Sequence, residues 1–273
     1  MRKTQHITIH SENNDFQHAE VLKRNREKRS KNKRFFVEGV NSINLVIENK
    51  WDIYAFLYSN PDNLSDWAKN ILSKNIATKH IEMPIYLLNK LSDKEDSSEL
   101  LALVEMKDDN IDRIPIKEDL FVVVIDRSSS NGNLGTIIRS CNSFGVDAVI
   151  MTGHSVDLYD SKTIRASVGT LFSIPIIRLG SHNDLIPLFQ KIKNKLGDIN
   201  VVGTSVKTQN TIDKLCLKYP LALLIGNETY GLSNKYKELC DTLVKIPMLG
   251  SASSLNVACA TSIFLYEAQR QRK

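Results

Sequence analysis

Three nearly unbroken apolar runs in the second half of the chain limit its fold most: Leu120-Phe-Val-Val-Val-Ile125, Val146-Asp-Ala-Val-Ile-Met151 and Leu221-Ala-Leu-Leu-Ile225. A strand exposed on one face alternates apolar and polar residues, whereas a run of this kind suits a sheet covered on both faces, built from parallel strands joined by helices. Shorter strands are predicted at Ile174 to Leu179 and Asn200 to Gly203. Helical patterning is predicted near Leu134 to Phe144, Ser161 to Val168, Asn183 to Leu196 and Leu232 to Cys240. The expected class is α/β, with a parallel sheet between helix layers.

The first half repeats the rhythm on a smaller scale. Strands are expected at Phe35–Gly39, Ile53–Tyr58, near His80 and at Leu100–Met106, with helices between them. The reading divides the chain into a first domain of residues 1–106, a charged linker at 107–119 containing Pro115, and a second domain at 120–273. Residues 1–14 are expected to be mobile, followed from Asp15 by one helix that carries a basic run. That run holds Lys23, Arg24, Arg26, Lys28, Arg29, Lys31, Lys33 and Arg34 against one acid, Glu27. A solvated helix face normally alternates sign, and this stretch does not. Concentrated positive charge favours a phosphate backbone, even where the net charge is only +5.

Four dispersed cysteines in no Cys-x-x-Cys spacing read as reduced thiols, and six histidines without ligand spacing imply no metal. No apolar run of about 18 residues predicts a membrane span. The polar start, Met1-Arg-Lys-Thr-Gln-His6, has no signal-peptide core, so a cytoplasmic protein is expected.

In parallel α/β sheets ligands bind beyond the carboxyl ends of the strands, and three loops there are unusual. Asn131-Gly-Asn133-Leu-Gly135 opens the helix that carries Arg139. It lacks the Gly-Lys-Ser/Thr of a phosphate-binding loop, and a glycine-rich turn with a surface arginine is the plain alternative. Gly226-Asn227-Glu228-Thr-Tyr-Gly231 follows a buried strand, where Asn227 or Glu228 could simply cap the next helix. The third stretch, from Ile246 and Met248 to Ser254, Leu255 and Asn256, ends a short strand at Pro247. It then enters a helix that Ser254 is expected to cap. Lys162 and Arg165 add two cations before Gly169, as an RNA contact or as surface charge.

Taken together, Asn133-Leu-Gly-Thr-Ile-Ile-Arg139, Ile225-Gly-Asn-Glu228 with Gly231, and Ile246-Pro-Met with Ser254-Leu-Asn-Val257 resemble the three motifs of the SpoU/TrmH family. These are RNA ribose 2′-O-methyltransferases of the SPOUT superfamily. The likeness spans about Leu120 to Arg272, and the basic first domain is similar to the L30e-like substrate-binding domain of many members. The layout also resembles thiostrepton-resistance-type rRNA methyltransferases. The loop Asp126-Arg-Ser-Ser-Ser-Asn131 departs from the family, which often has Asp-Pro there.

The resemblance implies a C-terminal trefoil knot, which general topology rules would not suggest. It also implies a homodimer, and S-adenosylmethionine bound by Gly226, Asn227, Ile246, Met248, Leu255 and Asn256, with Thr204 and Gly203 nearby. Arg139 would be catalytic, supported by Asn133, Glu228, Ser254 and Asn256. An arginine is a poor base, with a reference pKa above about 12. Electrostatic stabilisation of a developing alkoxide is the role open to it.

The expected partner is structured RNA, rRNA ahead of tRNA, with no membrane and no metal. The rivals are a non-catalytic RNA-binding protein that retains the fold and a SPOUT base methyltransferase.

Overall fold

The computed structural model of the chain describes residues 4–93 and 97–272. It contains two compact units, Met1–Lys107 with Asp157–Phe172, and Asp108–Val156 with Ser173–Lys273.

The first unit runs β1 (Gln5–Thr8), α1 (Asn14–Arg24), α2 (Arg26–Asn32), β2 (Arg34–Glu38), α3 (Val40–Glu48), β3 (Ile53–Tyr58), α4 (Asp66–Ser73), β4 (Ala77–Glu82), α5 (Ile85–Leu91) and β5 (Leu100–Glu105). Its sheet has the order β1-β4-β3-β5-β2. The β1–β4 and β4–β3 pairs are parallel, while β5 is antiparallel to both β3 and β2.

Two expectations for this unit are corrected. Residues 5–8 are a strand paired with β4, from Gln5 opposite Lys79 to Thr8 opposite Glu82, and not a mobile leader. Their side chains carry no apolar alternation, so pairing to an open sheet edge creates the strand. The basic stretch forms two helices instead of one. Asn25 ends α1 with extended backbone, and its side chain accepts the amide of Lys28 to begin α2. Such side-chain oxygens compete with helix continuation and favour caps.

The second unit runs β6 (Phe121–Asp126), α6 (Asn131–Ser143) and β7 (Ala148–Thr152). The chain then makes α7 (Ser161–Ala166), which belongs to the first unit, before β8 (Ile176–Leu179) and α8 (Leu185–Leu196). It continues with β9 (Asn200–Thr204), β10 (Leu221–Ile225), α9 (Asn234–Lys237), β11 (Thr242–Val244) and α10 (Val257–Gln271). The sheet order is β11-β9-β10-β6-β7-β8, and every pairing is parallel. All six residues of β6 are buried, as a central strand covered on both faces requires. Val122 and Val124 pack with Ala148, Ile150, Ala222 and Leu224 beneath Leu185, Leu188 and Ile192 of α8.

The predicted helix from Leu232 to Cys240 shrinks to the single turn of α9. Asn256 rather than Ser254 caps α10, accepting the amides of Ala258 and Cys259 at 2.9 and 3.3 Å. Serine and asparagine are comparable caps, so the choice rests with where the helix begins.

Candidate active site

The strand order reverses direction beside β6. The chain fills β7 and β8 on one side, and then returns through β9 and β10 on the other. The carboxyl ends of β6 and β10, in register to Ile125 opposite Ile225, therefore face a switch point where a crevice opens. A cavity of about 420 Å³ lies beside it, beyond the carboxyl ends of β9, β10 and β11, within the range of about 300–1,000 Å³ for small-molecule sites.

After β10 the chain turns at once. Gly226 is buried, and a Cβ on it would come within 2.2 Å of backbone atoms of Gly231 and Leu232. Only glycine allows that approach. Asn227 and Gly231 exchange two backbone hydrogen bonds of 3.2 and 2.9 Å, and Gly231 adopts φ +65°. The Asn227 side chain accepts the amides of Thr229 and Tyr230 and donates to the Arg127 carbonyl at 2.7 Å. This turn fixes Glu228 beside the loop that follows β6.

The Glu228 carboxylate accepts the Ser129 amide and hydroxyl at 3.0 and 2.7 Å, the Ser128 hydroxyl at 3.2 Å and the Asn133 amide group at 3.4 Å. Burial works to raise its pKa, but these bonds, led by the Ser129 hydroxyl, outweigh it and hold the carboxyl below its ordinary value. Glu228 is thus an ionised acceptor that organises its neighbours. Asn133, in the first turn of α6, accepts a 3.1 Å hydrogen bond from the Asn256 side chain. One polar chain therefore joins the three loops: Glu228, Asn133, Asn256.

The cavity walls include Thr204, Gly226, Asn227, Ile246, Met248 and Leu255, six of the positions expected to hold a cofactor. Ser254 lines it too, while Gly203 lies within β9, where a Cβ would press on Cys240 and Leu243. Asn256 is outside the wall, in the polar chain beside it. Arg139 stands apart: its side chain is exposed on α6, and its guanidinium makes no hydrogen bond or ion pair among the described residues. Sequence reasoning did not single out Ser128 and Ser129 as site residues, although three serines after a buried strand were a visible signal. It also left out Lys207, Lys237 and Lys245, which line the cavity.

In the first unit, Arg24, Arg26, Lys28, Lys31 and Lys33 are exposed, as is Arg165 on α7. Lys23 is drawn to Asp93 at 2.7 Å, and Arg34 pairs with Glu105 at 2.8 Å over the Tyr54 ring. Arg29 is a correction. It is 2% exposed, bonded to Asp157 at 2.7 Å and Asp160 at 3.3 Å, and donates to the Leu22 and Lys23 carbonyls that end α1. Its charge is neutralised internally and does not reach a phosphate.

Among the described residues no group of three or more His, Cys, Asp or Glu could hold a metal ion, and no helix is long and apolar enough to cross a membrane.

Residues 120–266 match the SpoU rRNA Methylase family, and residues 13–102 match the SpoU L30e-like domain. The chain is 42% identical to the 23S rRNA (uridine(2479)-2′-O)-methyltransferase of Streptomyces viridochromogenes, over 97% of its own length and 92% of that protein's. It is 28% identical to a 23S rRNA (guanosine-2′-O-)-methyltransferase of Haemophilus influenzae, over 86% and 97%. The fold superposes with TM-score 0.90 on the SpoU methyltransferase AviRb from Streptomyces viridochromogenes in complex with the cofactor AdoMet. That match covers 95% of this chain and 98% of the other at 42% identity. A cavity beyond the carboxyl ends of β9, β10 and β11, a glycine turn with no room for a side chain and a polar chain linking three motif loops thus accompany a match along both halves: the chain belongs to the SpoU rRNA methylase family.

Proposed function

We propose that this protein is an S-adenosylmethionine-dependent methyltransferase that modifies a ribose 2′-hydroxyl of 23S rRNA. The observation that carries the reading is the Glu228–Asn133–Asn256 chain beside a cofactor-sized cavity, in a family whose relatives are named for this reaction. The cavity suits the cofactor. Gly226 lets the turn that walls it close on itself, Met248 and Leu255 offer apolar contact, and Thr204, Asn227 and Ser254 offer polar groups.

Bound there, S-adenosylmethionine supplies an electrophilic methyl group. The chain's own residues position the acceptor. Glu228, ionised and held by five donor groups, fixes Asn133, and Asn133 fixes Asn256. In the proposed mechanism Arg139 stabilises the negative charge that develops on the ribose oxygen as its proton passes to solvent water, and Ser254 and Asn256 orient the ribose or the methionine end. A permanently charged guanidinium suits that electrostatic task better than proton abstraction.

In this reading residues 1–106 form the RNA-binding domain and 107–119 a linker to the catalytic domain at 120–273. Exposed Arg24, Arg26, Lys28, Lys31, Lys33 and Arg165 contact phosphates, with Lys23 and Arg34 at their margin. The enzyme works as a cytoplasmic homodimer. The support for dimerisation is the face where α6 and α10 pack, joined by Ser140 and Ser262 at 2.8 Å, with Ile263 and Tyr266 exposed beside it. The support for a trefoil knot is the way residues 210–217 bind the C-terminal segment. Lys245 donates to the Asn210 carbonyl and accepts from Ile212, and Gln271 bonds to both Leu215 and Leu217.

The test is methyl transfer from labelled S-adenosylmethionine to rRNA and to tRNA from a strain lacking the gene. Label in 23S rRNA that protects one position from alkaline cleavage is expected. No label in either RNA, with RNA binding intact, favours the non-catalytic alternative.

A further inference from the structure

Tyr230 has no role in the chemistry above. Its ring is 80% exposed, although it belongs to a tightly held turn at the wall of the cavity. The turn itself does not need an aromatic residue at this place. Asn227 supplies the side-chain acceptor, Gly231 the positive φ, and Tyr230 contributes only its amide, at 3.1 Å from the Asn227 oxygen. Leaving so large a ring in water forgoes the burial free energy that aromatic side chains otherwise provide. Its backbone is nevertheless fixed on both sides, so only two side-chain torsions remain to be ordered on contact.

Two observations indicate what the ring meets. Tyr230 is two residues from Glu228, a span of at most roughly 7 Å along the chain, comparable to the distance from a ribose hydroxyl to its own base. Lys207, Lys237 and Lys245 line the same cavity, and none makes an ion pair among the described residues. An exposed aromatic face among lysines is the arrangement that binds single-stranded nucleic acid, the base stacking on the ring and the phosphates meeting the cations. We propose that Tyr230 is the stacking platform for the base of the nucleotide whose ribose enters the site, so that this nucleotide is bound unstacked from its RNA neighbours. The inference rests on the functional reading above and adds a substrate-positioning residue to it. Because every base has a π-face, Tyr230 grips the nucleotide without choosing its identity.

The experiment compares wild type, Tyr230→Ala and Tyr230→Phe in three measurements: filter binding of a 23S rRNA transcript, steady-state methyl transfer to it, and calorimetric titration with S-adenosylmethionine. Tyr230→Ala is expected to lower RNA affinity and raise KM by roughly ten- to a hundredfold, the effect of losing one stacked base. Tyr230→Phe is expected to stay within about twofold of wild type, since it keeps the ring. Because Tyr230 also lines the cavity, the calorimetry tests whether its ring meets the cofactor instead of a base.

Unchanged RNA affinity in Tyr230→Ala, a Tyr230→Phe variant as impaired as Ala, or a fall in cofactor affinity would overturn stacking. Filter binding needs no turnover. A wild-type protein that binds the transcript but transfers no methyl group therefore refutes the functional reading, while the platform is still judged by the affinities.

Discussion

Asn256 donates a 3.1 Å hydrogen bond to Asn133 across 123 positions of sequence, and the same side chain caps α10 through the amides of Ala258 and Cys259. One residue thus starts the last helix and ties it to the loop after β6. Asn256→Ala removes both functions and should cost about 1 kcal/mol for the cap alone. Asn256→Asp retains the cap acceptor and loses the donor to Asn133. Thermal unfolding of the two variants separates these roles, with Asp near wild type in stability and both expected to lose methyl transfer.

Gly226→Ala should be far more damaging than its single methyl group suggests. The new Cβ would press on backbone at Gly231 and Leu232, which cannot rotate away as a flexible side chain can. Overpacking of this kind costs about 1–3 kcal/mol or more. Loss of S-adenosylmethionine binding in calorimetry is the expected result, and a variant that binds normally would contradict the close packing of the turn.

Arg29 and Lys28 are neighbours in sequence with opposite expected phenotypes. Arg29→Ala strands Asp157 without its 2.7 Å partner and releases the α1 carbonyls, a change of the kind that costs about 3–5 kcal/mol. Lys28→Ala should leave stability within about 0.5 kcal/mol. If Lys28 meets a phosphate, its variant lowers the slope of log affinity against log salt by about one. Chemical denaturation and salt-dependent filter binding read the two effects separately.

Arg139→Ala is expected to lower kcat by about 100- to 1,000-fold, as loss of a group stabilising a developing oxyanion does. Calorimetry should give a cofactor affinity close to wild type, because Arg139 lies outside the cavity wall. Lost cofactor binding would move the residue from the reacting oxygen to the cofactor.

His80 should make the first unit acid-sensitive. It is 2% exposed, its Nε2 has no partner, and burial, with His6 alongside, lowers its pKa from 6.5 to about 4. Between those values the unfolded chain binds a proton that the folded state resists. The stabilising contribution is therefore fully present above pH 6.5 and is lost as pH falls towards 4. His80→Phe, which fills similar space without a titrating group, should flatten the dependence of denaturation midpoint on pH in that window.

Much of the fold was legible because burial on both faces leaves a direct trace. Runs such as Leu120–Ile125 can be satisfied in few ways, and the parallel sheet followed from them. The glycines and amides of the site loops were legible for a similar reason: a turn as tight as 226–231 admits few residue types. The edge strand 5–8 was not legible, since its cause is the open backbone of β4 and not its own side chains.

The sequence by itself determined the α/β class, the three motif loops and the family, because apolar period and turn chemistry are local properties. Only the tertiary structure decided which charge does what. Arg29 reads like its seven basic neighbours, yet Asp157 and Asp160 lie more than a hundred residues away and take it out of solvent. Ser254 was the expected cap of α10, yet the helix begins at Val257, so Asn256 caps it and meets Asn133 as well. Desolvation and hydrogen bonding depend on what else is within a few ångströms, and that proximity exists only once the chain has folded.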